Sequence, residues 1–253
     1  GGLALVDALG SYADNNADDI TFFYETAAKK LISDDDGNLI GVSGICRGNK
    51  KIDLFASNVV LASGGFEGNS EMLSHYVGPQ AQFIRPVSRG GHYNRGEGIQ
   101  MALEAGAASC GDFSSFHAQP VDPRSKDMEP VVLNYSYGLL INESGSRFTD
   151  EAPALVDSTY EAVTRIIMQQ KNGIGFAVFD NKLDDIDNWN ATVRTRVAPY
   201  QANTLEELAS LIQIPSEEFL RTVNDFNKAC PDNQGDFDPL KPDGLKTDGL
   251  RLQ

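Results

Sequence analysis

The chain has 253 residues, 41% hydrophobic and 23% charged, enough for one large domain or two smaller ones with real cores. A formal net charge of −15 argues against nucleic acid as a partner, because neutralising phosphates needs basic stripes. No apolar run approaches the ~20 residues that span a bilayer, and Cys46, Cys110 and Cys230 form no CxxC pair. That excludes a zinc knuckle or a disulfide framework; reduced thiols in the cytoplasm and no metal are expected.

In chain order, Leu3 to Asn15 reads as a helix with Leu5, Leu9 and Tyr12 on one face. Ile20 to Tyr24 reads as a strand. Asp36-Gly37-Asn38 is a turn that leads into strands over Leu39 to Ile45 and Lys51 to Phe55. Val59 to Ala62 is a short apolar run that reads as a strand buried on both faces, as in a parallel sheet. Gly64 and Gly65 follow it, and a glycine pair at the carboxyl end of such a strand lets backbone approach a ligand closely. By itself such a pair favours an ordinary tight turn; the segments at 85–98 and 138–151 lift it above that. Ser70 to Tyr76 is a short helix. The glycine-rich stretch from Arg85 to Gly98 leads into a helix that Gly106 ends.

Leu139 to Asn142 and Arg147 to Phe148 read as a hairpin around Ser144-Gly145. Asp157 to Gln170 is a helix with a Ser158–Glu161 capping box, and Gly175 to Phe179 is a strand. Thr204 to Ile212 is a helix with a Thr204–Glu207 box. Ser216 to Cys230 is another, and the tail from Pro231 reads as loop. Composition shifts near residue 118, which sets an expected boundary between 1–117 and 118–253.

Four blocks carry a resemblance: Val60-Leu-Ala-Ser-Gly-Gly-Phe66, the run Arg89 to Ala107, Phe116-His-Ala-Gln-Pro120, and Gly138 to Glu151. In order and spacing they resemble the fumarate reductase and succinate dehydrogenase flavoprotein family, and within it the tricarballylate dehydrogenase-like branch. The resemblance implies an α/β chain. Residues 1–117 would be the middle of an FAD-binding domain of glutathione reductase type, and 118–253 an α+β capping domain over the substrate. It implies FAD as cofactor and hydride transfer between flavin and a small di- or tricarboxylate, with an unidentified electron partner. A 3-ketosteroid dehydrogenase-like enzyme is the second reading. A third is an inactive piece without flavin. The family's GxGxxG is absent, since Gly96-Glu-Gly-Ile-Gln-Met101 lacks the third glycine, and the family continues past Gln253. An internal fragment is therefore expected.

Carried over residue by residue, Ala62, Ser63, Gly64 and Gly65 match the turn beside FAD, and Ala28 ends the segment that approaches the adenine. Gly96, Glu97 and Gly98 match a Gly-Asp-Gly helix start, with Asn94 just before it. Glu97 would also suit the helix dipole as an N-terminal acid, but Asn94 and the preceding loop favour the cofactor reading. His117 matches a histidine that hydrogen-bonds a substrate carboxylate; Arg89 would be a second anion partner. His92, in the same glycine loop, reads evenly as functional or merely exposed, and His75 as structural. Arg147, Phe148 and Glu151 match a block that supports the site, with Glu151 a candidate for proton relay. The family's catalytic arginine follows that block, but residues 152–158 contain no basic side chain, and the next is Arg165.

Overall fold

The computed structural model describes residues 2–229. Cys230 and the expected loop from Pro231 lie outside the described residues. The chain divides into two compact units. One comprises Gly1–Phe66 with Asn94–Cys110; the other comprises Glu67–Tyr93 with Gly111–Gln253. Both mix helix with sheet, in keeping with the α/β class. These units cut the chain at other points than the compositional shift at residue 118.

In the first unit, α1 (Gly2–Asn15) forms where the apolar spacing predicts it. Its apolar side chains stay largely uncovered: Leu5, Leu9 and Tyr12 are exposed, and only Ala13 is buried. An antiparallel meander follows, β1 (Ala27–Ser33), β2 (Leu39–Cys46) and β3 (Lys50–Phe55), in the order β1-β2-β3. The β1–β2 turn is built by Asp34, whose carboxylate accepts from the amides of Asp36 and Asn38 at 3.1 and 2.8 Å. Gly37 in that turn has φ +85°. Helix α3 (Glu97–Glu104) packs against β1 and ends before Gly106, which takes φ +91° as a helix-terminating glycine.

Two expected strands are absent. Ile20 to Tyr24 is irregular, and the pairing falls instead to Ala27–Ser33, with Leu31 opposite Val42. That segment was hidden by Lys29 and Lys30, charged residues that suit the outer position β1 occupies in the sheet. Val59 to Ala62 is likewise not a strand: Val59 is half-buried, and Val60, Leu61 and Ala62 are exposed, Val60 by 87%. A strand exists only when neighbours take up its backbone groups. Among the described residues the meander pairs only within itself, in the order β1-β2-β3, and no strand pairs with this segment.

In the second unit, Asn69 caps α2 (Ser70–Tyr76) by accepting from the amides of Glu71 and Met72. The center of the unit is a two-stranded antiparallel ribbon, β4 (Leu139–Ile141) and β5 (Phe176–Val178). Strand side chains alternate in direction. Leu139 and Ile141 therefore pack with Ala209, Ile214 and Phe219 of the segment holding α5 (Leu205–Ile212) and α6 (Ser216–Ala229). Leu140 points the other way, to Tyr135 and to Val163 of α4 (Val156–Gln169). Close approach requires Gly138 at the ribbon's start, where a Cβ would lie 2.3 Å from the carbonyl oxygen of Val178.

The expected hairpin around Ser144-Gly145 is present in reduced form, as a turn closed by Asn142 N–H to Ser146 O and an isolated bridge between Ile141 and Arg147. Thr204 caps α5 by accepting from the amide of Glu207, but the Glu207 carboxylate returns to the amide of Asn203, one residue before the cap. The Ser158–Glu161 box does not form. Helix α4 already begins at Val156, so Ser158 lies inside it and donates to the Leu155 carbonyl. Glu161 is left for another use.

Candidate functional site

The first unit gathers most of the expected cofactor residues at one corner. The Gly96 amide donates to the Gly65 carbonyl at 3.1 Å, which ties the Ser63–Gly65 loop to the start of α3. Gly64 has φ +80°, and a Cβ on it would lie 3.1–3.2 Å from the side-chain atoms of Asn94. Gly96 is the left-handed N-cap residue of α3 (φ 80°, ψ 15°), with no side-chain cap. Gly98 is buried, and a Cβ there would sit 2.2 Å from Ser63 Oγ. The loop and the helix thus meet through glycine surfaces.

The first-turn amides of α3 have no partner within the helix, and exposed Glu97 stands beside them. Amide donors, a serine hydroxyl and a carboxylate make a hydrogen-bonding surface for a polyhydroxylated group. Ala62 is exposed at the entry to the loop, and Ala28 lies on β1 opposite Gly44, on the strand that α3 packs against.

In the second unit His117 is 68% exposed, and both ring nitrogens have partners. Nδ1 lies 3.3 Å from Glu161 Oε2, and the Tyr160 hydroxyl lies 2.9 Å from Nε2. Arg165, one turn further along α4, donates to Glu161 Oε1 at 3.0 and 3.2 Å and to the Phe116 carbonyl at 2.5 Å. Its guanidinium also stacks on the Phe116 ring, 4.2 Å from the centroid. Arg165 first, against a smaller opposing effect of burial, and then His117 hold the Glu161 carboxyl below the usual range. Arg165 is the basic residue that follows the 138–151 block in sequence, and the fold carries it to the histidine's carboxylate. Nothing in the spacing of Phe116-His117 announced α4 as its partner. The sequence does contain the Glu161–Arg165 pair at i,i+4, a spacing that puts the two on one helix face.

The remaining site candidates stand apart from this cluster. Glu151 is buried and saturated: Arg147 grips it through Nε at 3.0 and 3.1 Å and through a terminal nitrogen at 2.5 Å. The Leu140 amide donates to the same carboxylate at 2.8 Å. Its visible work is to lock β4 to the segment that follows it. Arg89 and His92 are exposed around a short 3-10 turn, Gly90–Tyr93, and no hydrogen bond or ion pair joins either to His117. That loop is shaped by close packing, since a Cβ on Gly68 would lie 2.5 Å from the His92 carbonyl oxygen.

The sequence pattern described as FAD binding domain matches residues 1–243, and the chain belongs to that family. It is of the fumarate reductase and succinate dehydrogenase flavoprotein type, and FAD is the cofactor of such proteins. It is 25% identical over 216 residues to vinyl phenol reductase of Lactiplantibacillus plantarum, covering 74% of this chain and 43% of that protein. It is 27% identical over 201 residues to a probable fumarate reductase, Ifc3, of Shewanella frigidimarina, covering 78% of this chain and 32% of the relative. Among solved structures, the open conformation of a flavocytochrome c3 fumarate reductase superposes with a TM-score of 0.63 at 22% identity, over 89% of this chain and 38% of that one. The likeness in structure is one of fold. The chain spans less than half the length of these relatives. No helix among the described residues is long and apolar enough to cross a membrane.

Proposed function

We propose that the full-length protein is a cytoplasmic FAD-dependent oxidoreductase acting on a small di- or tricarboxylate of the fumarate/succinate or tricarballylate type. Family membership supports the flavin. The observation that carries the reading is the glycine-lined junction between the Ser63–Gly65 loop and the start of α3, where Gly98 leaves only the space that Ser63 Oγ uses. The donor set there fits part of a flavin nucleotide: α3 amides and Ser63 as donors, Glu97 as an acceptor for sugar hydroxyls. Ala28, Ala62, Gly64, Gly65, Asn94, Gly96 and Gly98 shape the surface around them.

When bound, the flavin supplies or accepts hydride. The chain's own residues position the substrate and handle the proton. In this reading residues 1–117 serve the cofactor and 118–253 the substrate. On this reading His117 and exposed Arg89 act on the substrate, and Glu151 holds β4 to the segment that follows it. A protein of net charge −15 must concentrate cationic groups locally to hold a polycarboxylate.

The test is Gly98→Val in the full-length protein. The added side chain collides with Ser63, so the purified variant should lose most of its flavin absorbance while keeping its far-UV circular dichroism. A variant that retains wild-type flavin content would overturn the assignment of this corner.

A further inference from the structure

We propose that Tyr160 is the proton-transferring group of the site and that His117 and Glu161 are the positioning residues that supply and hold its proton. The proposal rests on the flavoenzyme reading above and names the residue that takes up proton transfer in a chain whose residues 152–158 carry no basic side chain.

The four side chains touch in succession. The Arg165 guanidinium holds Glu161 Oε1, Glu161 Oε2 faces His117 Nδ1, and His117 Nε2 faces the Tyr160 hydroxyl. The Tyr160 ring packs against the core cluster of Tyr135, Leu140 and Val163, which fixes its position, while its oxygen reaches the exposed imidazole. The two rings meet edge to face, 5.4 Å apart at 88°. A histidine that spends both nitrogens on protein partners has no donor left for a substrate carboxylate, so its natural action here is through the tyrosine. The charged groups around the imidazole are Glu161 and Arg165 on α4. Asp112, on the segment before His117, has its carboxyl lowered chiefly by hydrogen bonds from Ser114 and also feels Arg165.

When both ring nitrogens carry a proton, His117 donates Nδ1–H to Glu161 and Nε2–H to the tyrosine oxygen. In the reducing direction the substrate C=C π bond breaks. One carbon gains hydride, for which a reduced flavin is the donor, and its neighbour gains the proton of the Tyr160 hydroxyl. The Nε2 proton then moves to the tyrosine oxygen, which leaves a neutral imidazole with its remaining proton on Nδ1, facing Glu161. Water restores the second proton. The oxidising direction runs the same path backward.

Two measurements test this. In the 253-residue chain, two-bond 1H–15N spectra of the histidine rings should show a displaced His117 Nε2 resonance in Tyr160→Phe and a displaced Nδ1 resonance in Glu161→Gln. Unchanged His117 signals in both variants overturn the relay. In the full-length holoenzyme, Tyr160→Phe should lower kcat by roughly 10²–10⁴-fold, the span of general acid–base catalysis. KM and flavin content should stay close to wild type. Glu161→Gln should displace the alkaline limb of the pH profile, and Glu161→Asp should recover part of the loss. Wild-type kcat in Tyr160→Phe overturns the proposal. Failure of the wild-type holoenzyme to reduce any unsaturated carboxylate would instead overturn the functional reading, and the ring spectra would still decide the relay.

Discussion

At the scale of single residues, several ionisable groups of this protein are committed to one another. Both ring nitrogens of His117 already face protein groups, Glu161 and Tyr160, with which a substrate carboxylate would compete. Asp122 shows the same economy in a buried setting. Burial raises its carboxyl pKa, but the Arg124 side chain and amide and the Thr195 hydroxyl outweigh that and hold it below the usual value. A depressed native pKa stabilises the fold in full above the unfolded-chain value of about 3.9, and the contribution disappears as pH falls through the lower native value. Asp122→Asn should therefore lower stability at neutral pH and flatten the loss of stability between about pH 4 and the native titration, as followed by urea unfolding at a series of pH values. An acid limb identical to wild type would show that Asp122 contributes nothing to it. The sequence showed Arg124 two residues from Asp122. It could not show Thr195, which arrives from 73 positions away, just as it could not show Tyr160 and Glu161 closing on His117.

At the scale of elements, the β4–β5 ribbon organises the second unit because each face of a three-residue strand serves a different helix layer. Phe219 is fully buried on the α5–α6 side, and Gly145 packs its turn against the Phe219 backbone. Phe219→Ala should cost about 3–5 kcal/mol, the usual range for emptying a buried aromatic site. Chemical denaturation of the variant against wild type measures it, and a loss below about 1 kcal/mol would mean that the cluster refills the space. Helices were the legible elements: α1, α2, α5 and α6 follow from periodicity and caps that are local in sequence. Strands were less so. Leu39–Cys46 and Lys50–Phe55 were visible, but Ala27–Ser33 was masked by its lysines. Val59 to Ala62 had the right residues and no strand to pair with. A strand is a relation between distant segments, and single-sequence patterning sees only one party to it. The packing of the Gly64, Gly96 and Gly98 corner was legible for the opposite reason, since its glycines encode close contacts that a Cβ would obstruct.

At the scale of the whole molecule, the phosphate-binding fingerprint of the family is missing from these 253 residues, and the Ser63–Gly65 corner offers few donors for a pyrophosphate. The 253-residue chain should accordingly fail to saturate with micromolar FAD in a flavin-fluorescence titration; tight stoichiometric binding would mean that the corner alone suffices. The hydrogen bond from Gly96 to Gly65 has one more consequence. It pins together the two points at which the chain leaves the first unit, after Phe66, and re-enters it, before Asn94. Seen from the first unit, everything between is a detour with a clasped neck. The entropy of closing such a detour grows only with the logarithm of its length. Descendants of this gene can therefore lengthen or trim the excursion with little loop-closure penalty to the meander and α3.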